Sequence, residues 1–331
     1  MTTTYRKLIA ARHSKNFRDA IEIVESPLRD PAPRELLLRT RCTGVNAADR
    51  IMAAGAYIAA TPVPFDLGGE AVGEVVAVGA QVQHYRPGDA VLTLGGGYSE
   101  YSYHPETRVF PIPRATPEIV SLGVGGLTAS IALEVVGEMK SGETVLVTAA
   151  AGGTGHFAVQ LAKLAGNHVI GTCSSDDKAG LLRTLGCDRP VNYRRENLHD
   201  VLKSEYPKGV HIVFESVGGD LFDTGLRHLA VRGRLITIGY IAEYDTGAQK
   251  VEQARVYSYL LPKSASVRGF WLNHFLRDHA PAHLLKLVGL LDSGKLTAEV
   301  DSRVFRGLEA VADAVEYLYS GQNHGKVVVS Y

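Results

Sequence analysis

Cysteine is scarce in this chain: three in 331 residues, at positions 42, 173 and 187. So few, so far apart, exclude a disulfide framework and a structural zinc cluster. An excess of charge of one sign is missing too. The 35 basic residues balance 35 acidic ones, so no electrostatic footprint points to nucleic acid or an anionic membrane. No uninterrupted apolar run approaches a membrane span, and the opening MTTTYRKL lacks the apolar core of a secretion signal. The closing Val329, Ser330 and Tyr331 are not a peroxisomal tripeptide. These absences lead us to expect a cytoplasmic protein with neither a nucleic-acid nor a membrane partner. Hydrophobic content of 45% is ordinary for a globular chain, and the length suggests two domains, each with its own core.

What is present is concentrated in VLVTAAAGGTGHFAVQLAKLAG, residues 145–166. Val145, Leu146 and Val147 read as a strand covered on both faces. The turn from Ala149 to Gly155 contains only Ala, Gly and one Thr (Thr154). From Phe157 the apolar residues fall at helical spacing, and Gly166 stands where a left-handed cap ends a helix. A helix N-terminus free of side chains offers backbone N–H groups and a favourable dipole to a pyrophosphate. Ala150, Gly152 and Gly155 hold the three positions of a G-x-G-x-x-G fingerprint, with Gly153 and Thr154 between them. The alternative is a tight strand-to-helix turn that binds nothing.

The rest of the chain arranges itself around this unit. Residues 1–122 are short β-prone runs broken by Gly and Pro, among them LLLRTRCTGV, EAVGEVVAVG and DAVLTLGG, which suggests a small irregular barrel. Over 123–295 apolar runs alternate with helical segments. Strand candidates are 144–148, 168–172, 190–193, 210–215, 234–239 and 266–270, the six strands of a doubly wound parallel sheet. Residues 296–331 return to β-runs flanking one helix and are expected to complete the first domain.

The second strand indicates which dinucleotide is bound. An NAD site places a carboxylate at its end, whereas here Cys173, Ser174 and Ser175 follow HVIGT. Hydroxyls there can donate to a 2′-phosphate. Lys178 puts a cation in the first turn of the next helix, where the dipole disfavours it by several tenths of a kcal/mol, roughly; a docked anion would explain it. The alternative is a solvated lysine balanced by Asp176 and Asp177. Tyr193 could add a stacking ring, and Arg194 and Arg195 further charge. NADPH is favoured over NADH.

A β-rich domain carrying GVNAADR, GGEAVGEVVAVG and AAAGGTG resembles the medium-chain dehydrogenase/reductase superfamily over essentially the whole chain. The runs HVIGTCSSDDKAGLLRTLGCDRPVNY, FESVGG and KSASVRGFWLNHF are similar to its zinc-independent prostaglandin reductases of the third type, with the quinone oxidoreductase and zeta-crystallin branch next. The resemblance implies a GroES-like barrel beside a Rossmann domain. It places Asn46 and Tyr57 next to nicotinamide and substrate as donors to a developing oxyanion. Alternatively, Asn46 closes a turn and Tyr57 packs on the barrel rim. By matching positions it also implies cofactor contacts from Thr128, from Ser216 and Val217 after the fourth strand, from Gly239 and Tyr240 after the fifth, and from Phe270, Leu272 and Asn323.

Zinc-dependent relatives carry a Cys ligand where this chain has Asn46, and a His-Glu pair where it has Gly69-Glu70. A zinc ion needs three or four converging N, S or O ligands, so no metal is expected. Reducing a carbon–carbon double bond conjugated to a carbonyl does not require one. His279 and His283 at i, i+4 lack a third ligand and read as a solvated surface pair. The stripe Leu284, Leu285, Leu287, Val288, Leu290 and Leu291 reads as core, and Tyr98, Tyr101 and Tyr103 as alternating along one strand. The edge strand ASVRGF suggests a homodimer, with a monomer second. The leading expectation is an NADPH-dependent reductase of α,β-unsaturated ketones, 15-oxoprostaglandin 13-reductase-like. A quinone reductase or a non-enzymatic, crystallin-like NADPH-binding protein are the alternatives.

Overall fold

The computed structural model describes residues 3–56, 61–244, 246–247 and 254–331. The chain divides into two compact units, Met1–Val124 with Ala298–Tyr331, and Gly125–Thr297. Tyr57 lies outside the described residues.

The first unit is β-rich. Its central strand, Glu35–Gly44, pairs antiparallel with Ala71–Val78, Tyr101–Pro105 and Val328–Ser330. Period-2 alternation turns Leu36 and Leu38 inward, where they meet Val75, Val91 and Val109. A three-stranded sheet is built on Thr4–Ala10. A second core gathers Leu8, Phe17, Val45, Leu67, Tyr98 and Val315; the last comes from helix Val311–Tyr319. The C-terminal segment is therefore part of this unit's interior.

The second unit is a doubly wound parallel sheet. Its strands are Thr144–Val147, His168–Cys173, Arg189–Asn192, Val210–Glu215, Leu229–Thr237 and Ser266–Gly269. Their spatial order is third, second, first, fourth, fifth, sixth, all parallel. Leu146, Ile170, Val213 and Leu235 are fully buried; each contributes about 1.5–3 kcal/mol by leaving water. The order reverses between the first and fourth strands, and open α/β sheets bind ligands at such a reversal, outside the carboxyl ends.

Several expectations need correction. The helical stretch Pro117–Val136 is long and apolar enough to cross a bilayer, with mean hydropathy 1.9, but 78% of that window is buried; two glutamates had hidden it as a run. Tyr98 is a fully buried core residue ahead of the strand Tyr101–Pro105, not part of it. In helix Ala280–Asp292 only Leu284 and Leu287 of the apolar stripe are fully buried, while Leu285 is 76% exposed. The helix shows an apolar side chain to solvent there. His283 is half-buried and its Nδ1 bonds the Ser130 hydroxyl at 2.7 Å, so it is an interhelical contact and not half of a solvated pair.

Candidate active site

In the second unit the site begins at the turn after the first strand. Ala149 adopts a positive φ of 46°, and its N–H donates to Thr172 Oγ1 at 3.1 Å. Ala150 N donates to Thr172 O at 2.9 Å, tying the turn to the neighbouring strand. A Cβ added at Gly155 would lie 2.4 Å from Ala149 O and 2.7 Å from Ala150 Cα, so the helix Gly155–Leu164 reaches the strand only because residue 155 has no side chain. At Gly152 an added Cβ would meet only Ala149 O, at 3.2 Å. That side of the turn is open, and no side chain caps the helix. A pyrophosphate fits this cradle. Gly153 and Thr154 are half-buried along it.

The carboxyl end of the second strand leads into helix Asp176–Thr184, capped by Ser175, whose Oγ accepts from Lys178 N at 3.2 Å. That bond uses an oxygen lone pair and leaves the hydroxyl hydrogen to donate. Ser174 is half-buried. Lys178 is only 9% exposed, so its side chain is not a solvated one. Asp176 is held by Arg195 at 2.7 Å and by Asn192 Nδ2 at 2.8 Å. Tyr193 is 47% exposed, its N–H on Cys173 O. Asn192 was not anticipated; nothing in its local sequence distinguishes it.

At the strand-order reversal Ser216 N donates to Thr148 Oγ1 at 2.9 Å. Beneath it Glu215 is fully buried, accepting from Val217 N at 2.8 Å and Gly218 N at 3.0 Å. Burial pushes its carboxyl up, while those N–H groups hold it down. Sequence reasoning missed Glu215, although an acid closing an apolar strand was a signal. Ala242 N bonds Val217 O at 2.9 Å, so the loops after the fourth and fifth strands are tied together. Gly239 and Tyr240 lie in them, Tyr240 packing edge-on against Tyr244. Phe270 stacks on Phe275 and, like Leu272, is 9% exposed. Thr128 is buried in helix Leu127–Ile131.

In the first unit Asn46 opens helix Ala47–Ala53. Its N–H donates to Asp49 Oδ2 at 2.8 Å, and the same oxygen accepts from Tyr98 Oη at 2.7 Å. Asp49 is 1% exposed, and burial pushes its carboxyl up to about 6; its Oδ1 has no partner among the described residues. The Asn46 side chain turns elsewhere. Nδ2 donates to Glu70 Oε1 at 3.0 Å and to Gly44 O at 3.2 Å, and Oδ1 accepts from Lys326 Nζ at 2.7 Å. Lys326 also forms an ion pair with Glu70. The charged side chains are 3% and 0% exposed, and Glu70 Oε2 takes Val124 N at 2.5 Å. Asn323 bonds Gly325 O at 2.9 Å and closes the loop that leads to Lys326. Lys326 was missed; a lysine set against the valines of GKVVVS was the signal.

A zinc ion does not fit this donor set. The Glu70 carboxylate already faces an ammonium, the Asn46 oxygen is occupied, and Gly69 offers no side chain. Burial pushes the nearby Cys42 thiol up to about 12. Among the described residues no three His, Cys, Asp or Glu side chains are placed to hold a metal ion.

Comparison with known proteins follows this division. Residues 32–114 match the alcohol dehydrogenase GroES-like domain, and residues 153–289 match the zinc-binding dehydrogenase family. Prostaglandin reductase-3 of Mus musculus is 46% identical over 98% of this chain and 89% of its own length. That of Bos taurus is 47% identical over the same shares. The crystal structure of Escherichia coli quinone oxidoreductase complexed with NADPH superposes with a TM-score of 0.87 at 27% identity, covering 98% of this chain and 100% of that one. With a GroES-like domain, a parallel sheet in Rossmann order and relatives at this identity over nearly its full length, the chain belongs to the medium-chain dehydrogenase/reductase superfamily.

Proposed function

We propose that this protein is an NADPH-dependent reductase of the carbon–carbon double bond of α,β-unsaturated ketones, working without zinc. The full-length likeness to prostaglandin reductase-3 carries the reading. The buried Lys178 beside Ser174 and Ser175, where an NAD site would place a carboxylate, supports the phosphorylated cofactor. Ala150, Gly152, Gly153, Thr154 and Gly155 would hold the pyrophosphate. Ser174, Ser175, Lys178 and Tyr193 would hold the 2′-phosphate end. Thr128, Ser216, Val217, Gly239, Tyr240, Phe270, Leu272 and Asn323 would surround the rest of the cofactor.

When bound, NADPH supplies the reducing equivalent as hydride. The chain's own task is to align the acceptor and to stabilise the negative charge that arrives on its carbonyl oxygen, with Tyr57 the proposed donor and Asn46 a positioning residue beside the acceptor. Among the described residues the edge strand Ser266–Gly269 pairs on one side only, which supports a homodimer formed through that edge. The burial of Pro117–Val136 makes it a core helix rather than a membrane span, and a cytoplasmic location remains part of the proposal.

The test is NADPH oxidation across a panel of enones, enals and quinones, with the products identified by mass spectrometry. Saturated ketone from enone is expected. Turnover of quinones alone would favour the second reading, a quinone reductase, which the Escherichia coli structure supports. No turnover of any acceptor despite tight NADPH binding would favour a binding protein.

A further inference from the structure

Asn46 cannot meet an oxyanion with the amide hydrogens it has. Both are engaged, one on Gly44 O and one on Glu70 Oε1. Nor can the amide turn over to free them. Lys326 stands at its oxygen and Glu70 at its nitrogen, so a flip would set N–H against ammonium and oxygen against carboxylate. The lysine itself is less fully engaged. An ammonium has three N–H donors; one goes to Asn46 Oδ1 and one to Glu70. The third has no partner among the described residues. Its stem is pinned as well: a Cβ on Gly44 would lie 2.5 Å from Lys326 Cε, so the absence of a side chain at Gly44 makes room for this lysine.

We propose that Lys326 is the oxyanion donor of the active site, with Asn46 and Glu70 as the positioning residues that aim it. The inference rests on the enone-reductase reading. As the substrate's β-carbon accepts hydride, its C=C π pair shifts to form the Cα=C bond of an enolate, and the carbonyl π pair moves onto oxygen. Lys326 donates its third N–H to that oxygen and keeps its proton; water then supplies the proton that completes the Cα–H bond. A fixed cation with little access to water is worth more to the developing charge than a solvated one. Glu70 holds the ammonium in place, and the fully buried carboxylate is itself held by Val124 N.

Two variants and three readouts test this. Lys326→Met removes the donor but strands Glu70. The double variant Glu70→Gln/Lys326→Met removes the charge pair as a unit and leaves Asn46 an acceptor, so the fold is expected to survive. In both, kcat for an enone should fall about 100-fold, with NADPH affinity, read by cofactor fluorescence, within twofold of wild type. Independently of turnover, wild-type protein should bind 4-nitrophenol as its phenolate, seen in the absorption spectrum, and both variants should bind it less as phenolate. Three results would overturn the proposal: a folded double variant with kcat within threefold of wild type, wild type failing to bind the phenolate, or loss of NADPH affinity with saturated turnover unchanged. Absence of enone turnover in wild type that still takes up the phenolate would instead overturn the enone reading.

Discussion

Two glycines three residues apart should respond oppositely to the same substitution. At Gly155 the new methyl of Gly155→Ala would sit 2.4 Å from Ala149 O, 2.7 Å from Ala150 Cα and 2.9 Å from Ala150 C. All three are backbone atoms, so strand and helix must move apart. Overpacking of this kind costs about 1–3 kcal/mol, against at most ~1 kcal/mol regained from alanine's helix propensity. At Gly152 the methyl would meet only Ala149 O, at 3.2 Å, which a shift of a few tenths of an ångström relieves. Gly152→Ala should therefore change stability by less than about 0.5 kcal/mol. Its methyl would stand on the open side of the turn, where a pyrophosphate has to approach the backbone. NADPH affinity should drop at least tenfold, about 1.4 kcal/mol. Urea unfolding gives the first quantity and calorimetric titration with NADPH the second. Wild-type affinity in folded Gly152→Ala would refute the assignment of this turn to the phosphates. Unaltered stability in Gly155→Ala would refute the packing argument.

Three further outcomes are expected. Lys178→Ala should weaken NADPH binding by about tenfold or more, on the scale of a lost charge-assisted bond, while leaving NADH binding unchanged; equal losses would overturn the choice of coenzyme. Tyr57→Phe should lower enone turnover about tenfold or more with NADPH affinity retained, and an unchanged rate would remove Tyr57 from the mechanism. Asp49 should leave a mark on stability against pH. Its carboxyl is raised from 3.8 to about 6 by burial, so between about pH 4 and 6 the folded state holds more protons than the unfolded one. Stability from this group is therefore highest below that window and falls across it by about 3 kcal/mol, then levels off. Asp49→Asn should lack that decline, and wild-type and variant curves running parallel from pH 4 to 6 would contradict the burial argument.

The parts of this molecule that were legible in its sequence are the contiguous ones. The first, second and fourth strands of the parallel sheet carry contiguous apolar stretches, and strand, small-residue turn and helix follow one another within 145–166, so local pattern suffices to find them. Lys178 shows where legibility stops. Its place in the first helical turn was readable, but whether it was solvated depended on burial, which only the packed structure supplies. Side-chain pairings between distant segments left no local trace. Lys326 reaches Asn46 across 280 positions, Tyr98 reaches Asp49 across 49, and His283 reaches Ser130 across 153. Nothing in the local period of 43–49 distinguishes an asparagine that closes a turn from one held between a carboxylate and an ammonium. Leu285 errs in the other direction: helical spacing made it core, and the fold left it exposed.

The buried ammonium also bears on which acceptors such a site can serve. A zinc ion lowers the pKa of a bound oxygen far enough to form an alkoxide near neutral pH. A lysine N–H does less: it stabilises an oxyanion by a charge-assisted hydrogen bond without taking over a bonding electron pair. That is enough where the product anion is already delocalised. Hydride addition to an enone gives an enolate, and hydride addition to a quinone gives a hydroquinone anion, both weak bases whose charge is spread over carbon and oxygen. Hydride addition to a simple aldehyde or saturated ketone gives a localised alkoxide, a far stronger base that one hydrogen bond from Lys326 would leave high in energy. With Lys326 as the proposed donor, a conjugated acceptor is the kind such a site would serve, and enones and quinones would have to be told apart by the walls of the pocket, since both present the same charge to this lysine.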